Sequence, residues 1–147
     1  MCADLATRFD AKVYAPIDDA DALSARPALA APIYPVISMN KPFAHALSRT
    51  MLLGPNPTPD QEAAHSPDLN VTKDTPPCFL VHAEDDPAVP VENTLLFHAA
   101  LRKAGVPVEM HVFEKGGHGF ALRNVVGMPA HAWADLFMAW AATHIAL

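Results

Sequence analysis

Two short β-rich runs separated by one helix, each ending in a polar turn, set the tightest limit on what this chain can fold into. They lie in residues 76–120, PPCFLVHAEDDPAVPVENTLLFHAALRKAGVPVEMHVFEKGGHGF. The run CFLVHA is apolar almost throughout, as a strand buried on both faces must be, and Glu84-Asp85-Asp86-Pro87 closes it with turn-favouring residues. A helical pattern follows over residues 91–104, with Leu95, Leu96, Ala99, Ala100 and Ala104 on one side and Gly105 just past its end. Residues 108–113 then return to β-rich composition before Gly116-Gly117-His118-Gly119. Strand, helix and strand in this order form a parallel βαβ unit with a right-handed crossover. In open parallel sheets the loops beyond the carboxyl ends of the strands carry the chemistry, because the strand fixes the chain direction and the loop is free of ladder bonds. The unit therefore sets an acid and a histidine on neighbouring rims.

That pairing has a chemical use. A carboxylate that accepts a hydrogen bond from one imidazole nitrogen fixes the tautomer, so the other nitrogen can take a proton from a hydroxyl. The same carboxylate stabilises the imidazolium that results. Asp86 precedes His118 by 32 residues, the length of one crossover, and α/β-hydrolases carry their triad in the order Ser, acid, His. The segments FLVHAEDDPAVPVEN and AGVPVEMHVFEKGGHGF resemble the C-terminal part of the serine α/β-hydrolases related to bacterial carbohydrate acetyl esterases and the prolyl oligopeptidase clan. The family pattern His-Gly-x-x-Asp-x-x-Val-Pro, followed by Gly-Gly-His-Gly-Phe, implies Asp86 as the acid and His118 as the base. Ala83 stands where the family often has Gly. Each motif also has a plainer reading, since Asp-Asp-Pro alone is commonly a capped turn and Gly-His-Gly a flexible one. Their order and spacing favour the pair. A metal site built from His82, Asp85, Asp86 and His118 is a third reading. No His-x-x-x-His or Cys-x-x-Cys spacing supports it, and neither a metal nor a cofactor is expected.

The resemblance extends over nearly the whole chain and makes specific what is missing from it. Residues 2–9 read as an amphipathic helix, with Leu5 and Phe9 on one face and no N-cap ahead of it. In the family such a helix lies directly behind the nucleophile elbow, Gly-x-Ser-x-Gly, which is expected upstream of Met1 together with the oxyanion-hole loop. None of Ser24, Ser38, Ser48 and Ser66 sits in a glycine-flanked elbow, so each reads as a cap or turn residue. Residues 31–38, with Ile33, Tyr34, Val36 and Ile37, read as a further strand that Pro35 interrupts for ladder bonding. Residues 41–53 read as a helix stopped by Gly54-Pro55, and residues 55–77 as a long loop with one helical piece over 60–64. Pro129 opens the last helix. The expected fold class is α/β: a three-layer, partial α/β-hydrolase fold of about three parallel strands with flanking helices. Residues 1–147 form a single domain, the C-terminal half of an α/β-hydrolase domain.

By resemblance the function is that of a serine ester hydrolase of the carboxylesterase or acetyl esterase type. Its substrate is a small ester, acetylated carbohydrate among the candidates, once the missing half completes the site. Carrying the Asp and His without the Ser, the truncated chain is expected to be inactive alone. The rival reading is a non-catalytic fragment that self-associates or binds a partner through its exposed sheet edge. A formal net charge of −6 without a Lys/Arg cluster argues against nucleic acid and against an anionic membrane surface. Apolar runs stop well short of the roughly 18 residues that span a bilayer, and the amino end lacks a basic-then-apolar secretory layout. Cys2 and Cys78 are far apart in the sequence, so reduced thiols and a cytoplasmic address are expected. An uncovered strand near residues 33–37, or the first helix near Leu5 and Phe9, is expected to drive a homodimer or larger assembly.

Overall fold

The computed structural model describes residues 1–145. Its elements in chain order are α1 (Cys2–Arg8), α2 (Ala46–Leu53), α3 (Pro59–Ala64), β1 (Cys78–Ala83), α4 (Glu92–Lys103), β2 (Val108–Phe113) and α5 (Trp133–Ala142). Short 3₁₀ turns at Asp19–Ala22, Pro67–Leu69, Arg123–Val125 and Pro129–Ala132 join them.

β1 and β2 pair in parallel, from Cys78 opposite Val108 to Ala83 opposite Phe113. β1 is buried at every residue, and its period of two divides the core. Cys78 and Leu80 join Ala3, Ala6, Ile37, Phe97 and Leu101 on one face. Phe79, Val81 and Ala83 join Phe120, Val125, Ala130, Trp140 and Ala141 on the other. The result is three layers, with α1 and α4 below the sheet and α5 above it. Each fully buried Phe, Leu or Val contributes about 1.5–3 kcal/mol through lost water contact, so this one strand anchors both cores. α4 ends as its sequence dictates: Gly105 adopts φ 74°, and the N–H groups of Gly105 and Val106 return to the carbonyls of Arg102 and Leu101 at 3.1 and 3.0 Å. This paired capping closes the helix and aims the chain into β2.

Three expectations are corrected. Residues 31–38 do not form a continuous strand: the segment touches β1 through two parallel bridges only, Ala30 to Cys78 and Ile33 to Val81. Pro32 and Pro35 have no N–H to donate, and Tyr34 between them turns to φ 39°. The chain then leaves the edge, and Ile37 is fully buried instead of lying on an open rim. The helix expected over 41–53 begins only at Ala46, where the His45 ring caps it by accepting the Ser48 N–H at 3.4 Å. α4 turns Asn93, Thr94, Phe97 and Leu101 inward and leaves Leu95 43% exposed, so the side expected from Leu95, Leu96, Ala99, Ala100 and Ala104 is not its inner one. α1 forms where expected, burying Ala3, Ala6 and Thr7 and leaving Leu5 50% exposed. Ala3 and Ala6 share the cluster of Cys78 and Leu80, and the Leu5–Phe9 side borders an open cleft of about 1100 Å³ shared with Val13, Tyr14 and Leu23. No helix among the described residues is long and apolar enough to cross a membrane.

Candidate active site

β1 ends at Ala83, and the chain turns at once, with the Asp86 N–H returning to the Ala83 carbonyl at 3.2 Å. The Asp86 carboxylate then organises the turn it belongs to. Its Oδ1 accepts the N–H groups of Ala88 and Val89 at 2.8 and 2.9 Å. Its Oδ2 lies 2.7 Å from His118 Nδ1. An ionised carboxylate only accepts, so Nδ1 carries the proton and Nε2 is left with its lone pair. The Asp86 side chain is 0% exposed and that of His118 is 37% exposed, so a shielded charge backs an imidazole that remains within reach of a reactant. Burial pushes the Asp86 carboxyl upward. Hydrogen bonds from the Val89 N–H, His118 and the Ala88 N–H outweigh that effect and hold it below the usual carboxylate range.

A second histidine backs the acid. His82, fully buried in β1, has Nε2 3.0 Å from the Val89 carbonyl and 3.2 Å from Asp86 Oδ2, and Nδ1 2.7 Å from Thr94 Oγ1 on α4. Two acceptors facing Nε2 put the proton there, and the Thr94 hydroxyl donates to Nδ1. Burial lowers the His82 pKa against the opposing pull of the Val89 carbonyl and Asp86, and the ring is neutral. Asp86 thus collects four donors: two backbone amides and one nitrogen from each histidine.

The histidine loop is fitted to the same turn. Asp85 Oδ1 accepts the N–H groups of Gly116 and Gly117 at 2.9 and 2.8 Å. A Cβ at Gly116 would lie 3.0 Å from the Phe120 ring and 3.1 Å from Ala83 Cβ, so any larger residue there would press on both neighbours. The methyl group at position 83, where the resembled family often has none, is accommodated because residue 116 lacks its own. Gly117 and Gly119 take φ 69° and 67° on either side of His118, a backbone that favours glycine. Tyr34 completes the rim. Held by its N–H to the Val81 carbonyl at 2.7 Å, it sets its ring edge-on to His118 and Phe120, with centroids 5.1 and 5.0 Å away.

The structure therefore brings Asp86 and His118 together, and adds His82, Asp85 and Tyr34. The sequence carried a signal for His82, a polar residue in an otherwise apolar buried strand. Asp85 was visible as a second turn acid and as a residue weighed for a metal site, and Tyr34 carried no distinguishing signal. Of the four residues weighed as metal ligands, Asp85 faces backbone amides instead of the other three.

The four serine hydroxyls are each hydrogen-bonded. Ser66, fully buried, donates to the Glu62 carbonyl at 2.7 Å and accepts the Met39 N–H at 2.9 Å. Ser24 Oγ accepts the Arg26 N–H at 3.2 Å, and Ser38 Oγ accepts the Asn40 N–H at 3.2 Å. Ser48 Oγ lies 2.8 Å from His45 Nδ1, a contact belonging to the α2 cap, with no carboxylate hydrogen-bonded to that ring among the described residues. Cys2 and Cys78 are both free thiols. Burial, reinforced by the Cys2 sulfur, pushes the Cys78 thiol up to about 12, which leaves it no thiolate for attack.

A model of the prolyl oligopeptidase family matches residues 28–146. Over 124 residues, 84% of this chain, the sequence is 40% identical to endo-1,4-beta-xylanase B of Butyrivibrio fibrisolvens. Over 99 residues it is 33% identical to the acetylxylan esterase of Xylanibacter ruminicola. The chain spans 19% and 21% of those two relatives. The crystal structure of an acetyl ester-xyloside bifunctional hydrolase from Caldicellulosiruptor lactoaceticus superposes with a TM-score of 0.88 at 40% identity. That superposition covers 96% of this chain and 51% of the other. The layered sheet described above is thus part of an α/β-hydrolase fold.

Proposed function

The chain belongs to the prolyl oligopeptidase family, and from that premise we propose that Asp86 and His118 are the acid and base of a serine ester hydrolase. Its substrate class is small acyl esters, acetylated carbohydrate among them. The observation that carries the reading is the 2.7 Å contact between His118 Nδ1 and a buried Asp86 carboxylate. In the proposed reaction His118 Nε2 takes the proton of a serine hydroxyl as its oxygen attacks the ester carbonyl, then returns that proton to the leaving alcohol. Water repeats the cycle on the acyl-enzyme. The attacking serine and the oxyanion donors come from outside these 147 residues, since the four serines within them are bonded as caps and tethers. Acetylated xylan fits as a substrate because relatives bear the names acetylxylan esterase and acetyl ester-xyloside hydrolase. Two free thiols support a reducing, cytoplasmic compartment.

The test is p-nitrophenyl acetate hydrolysis by the chain alone, and by the chain mixed with the part of the Caldicellulosiruptor hydrolase that it does not cover. Alone it is expected to give only the slow, non-saturating background of free imidazole. Mixed, it is expected to turn over with saturation and to lose about 10³-fold or more in kcat on His118→Ala or Asp86→Asn. Saturable turnover that survives His118→Ala would overturn the assignment.

A second reading, self-association, is favoured by one observation. Leu47, Met51 and Leu52 on α2 are 65, 78 and 53% exposed, beside an apolar groove of about 520 Å³ that runs along Ile33 and Val36. On this reading the chain pairs with its own copy there, or across Leu5 on α1, instead of with an upstream half.

A further inference from the structure

We propose that Asp85 is a positioning residue: it tethers the loop that carries His118, so two consecutive carboxylates divide the setting of one imidazole. Asp86 holds the ring and Asp85 holds the backbone beneath it. The proposal rests on the reading of His118 as the base.

The loop needs such a tether. It leaves β2 at Phe113, where the Glu84 N–H binds the Phe113 carbonyl at 2.8 Å, and regains the core at Phe120, which is fully buried. Between those anchors stand Gly116, Gly117 and Gly119, two of them flanking His118 with positive φ. A glycine-rich stretch has more conformations open to it than any other composition, so neither anchor by itself fixes the residue between them. Successive amides of such a turn point the same way and make a small anion-binding concavity. Here the anion is internal, because Asp85 Oδ1 takes both N–H groups, at 2.9 and 2.8 Å. Those bonds, the Gly117 N–H foremost, keep the Asp85 carboxyl below its usual range.

An alternative role, a simple ion pair with Lys115, is weaker on geometry. Lys115 Nζ lies 4.0 Å from Asp85 Oδ2, and both side chains are open to solvent. Exposed pairs of that kind contribute little. The tether also explains the order of the motif. Asp85 follows Glu84, whose N–H is bonded to the last residue of β2, and the amides Asp85 takes are the two that immediately precede His118.

The experiment uses the ¹⁵N-labelled 147-residue chain. Long-range ring correlations report which His118 nitrogen is protonated, and hydrogen exchange reports the Gly116 and Gly117 amides. In the parent chain His118 is expected as the Nδ1–H tautomer, with both amides protected. In Asp85→Ala both amides are expected to exchange at least tenfold faster, and the His118 ring to show the averaged tautomers of a free imidazole. The Phe79 and Leu101 amides should be unchanged in that variant, as reporters of an intact core. Asp85→Asn keeps an acceptor oxygen and is expected to restore both signals, and Lys115→Ala to disturb neither. Unaltered signals in Asp85→Ala, or Asp85→Asn as disturbed as Asp85→Ala, would overturn the tether. No ester turnover enters the readout. Loss of the His118 tautomer in Asp85→Ala therefore supports the tether even where the esterase assay fails, and failure of the tether leaves that assay standing.

Discussion

Replacing Asn93 by alanine tests how far one buried amide holds the segment that leads away from Tyr34. Asn93 lies on α4 and is 0% exposed. Its Oδ1 accepts the Ile37 and Ser38 N–H groups at 2.8 and 2.9 Å, and its Nδ2 donates to the Phe43 and Pro90 carbonyls at 2.9 and 3.1 Å. The four partners differ in what they face afterwards. Phe43 and Pro90 are half-buried and can turn to water, so their loss costs little beyond the bond itself. Ile37 and Ser38 are buried, and each stranded N–H costs about 1–3 kcal/mol of uncompensated desolvation. The expected destabilisation is therefore about 3–4 kcal/mol, a large share of the ~5–15 kcal/mol that holds a typical domain together. Urea unfolding followed by tryptophan fluorescence measures it, with the slope unchanged if only the folded state is affected. A loss under about 1 kcal/mol would falsify the reasoning. It would mean that the 37–43 segment relaxes onto other partners and that Asn93 is not what holds it.

Two further outcomes are expected. Acidification should destabilise the fold in two steps. His82, with its folded pKa lowered by burial, contributes stability present above its unfolded pKa near 6.5 and lost as pH falls through the folded value. Asp86, also lowered, contributes stability present above about 3.9 and lost as pH falls through its own folded value. Asp85 and Asp21, also lowered, act in the same range, so unfolding free energy measured against pH should show the lower step reduced in Asp86→Asn, and a step unchanged by that variant would contradict the assignment. On the self-association reading, light scattering after size-exclusion chromatography at micromolar concentration should give a dimer that Met51→Lys dissociates. A folded monomer would rule that reading out.

The elements that sequence reading located are those whose signal is local. β1 and β2 run over the predicted residues, and α4 falls within one residue of its predicted ends, because burial on two faces and Gly105 are each written in a short window, whereas the inner side of α4 is Phe97 and Leu101 and not the predicted Leu95 and Ala99. The misplaced elements were decided by partners far away in the chain. Residues 36–39 leave the sheet edge because Asn93 and Ser66, 56 and 27 residues distant along the chain, supply the hydrogen bonds that a strand neighbour would have supplied. In the site, the order and spacing of Asp86 and His118 were legible from the sequence. The partners that hold them, Thr94 behind His82 and two glycine amides on Asp85, depend on which side chains the strand register brings into reach.

That register makes the hydrogen-bonded Asp86–His118 pair a property of the βαβ unit. Ala83 faces Phe113, and the Glu84 N–H extends the ladder one step to the Phe113 carbonyl at 2.8 Å, so the last residues before the two loops are locked side by side. A slip of a single residue along either strand moves one loop by about 3.3 Å relative to the other. A 2.7 Å hydrogen bond does not survive such a shift, and neither do the two amide bonds to Asp85. Slippage is opposed by burial on both faces of β1, since a one-residue shift turns Phe79 and Val81 out of the cluster with Trp140 and drives Cys78 and Leu80 into it. The hydrophobic pattern of six residues thus fixes the distance between a carboxylate and an imidazole 32 positions apart.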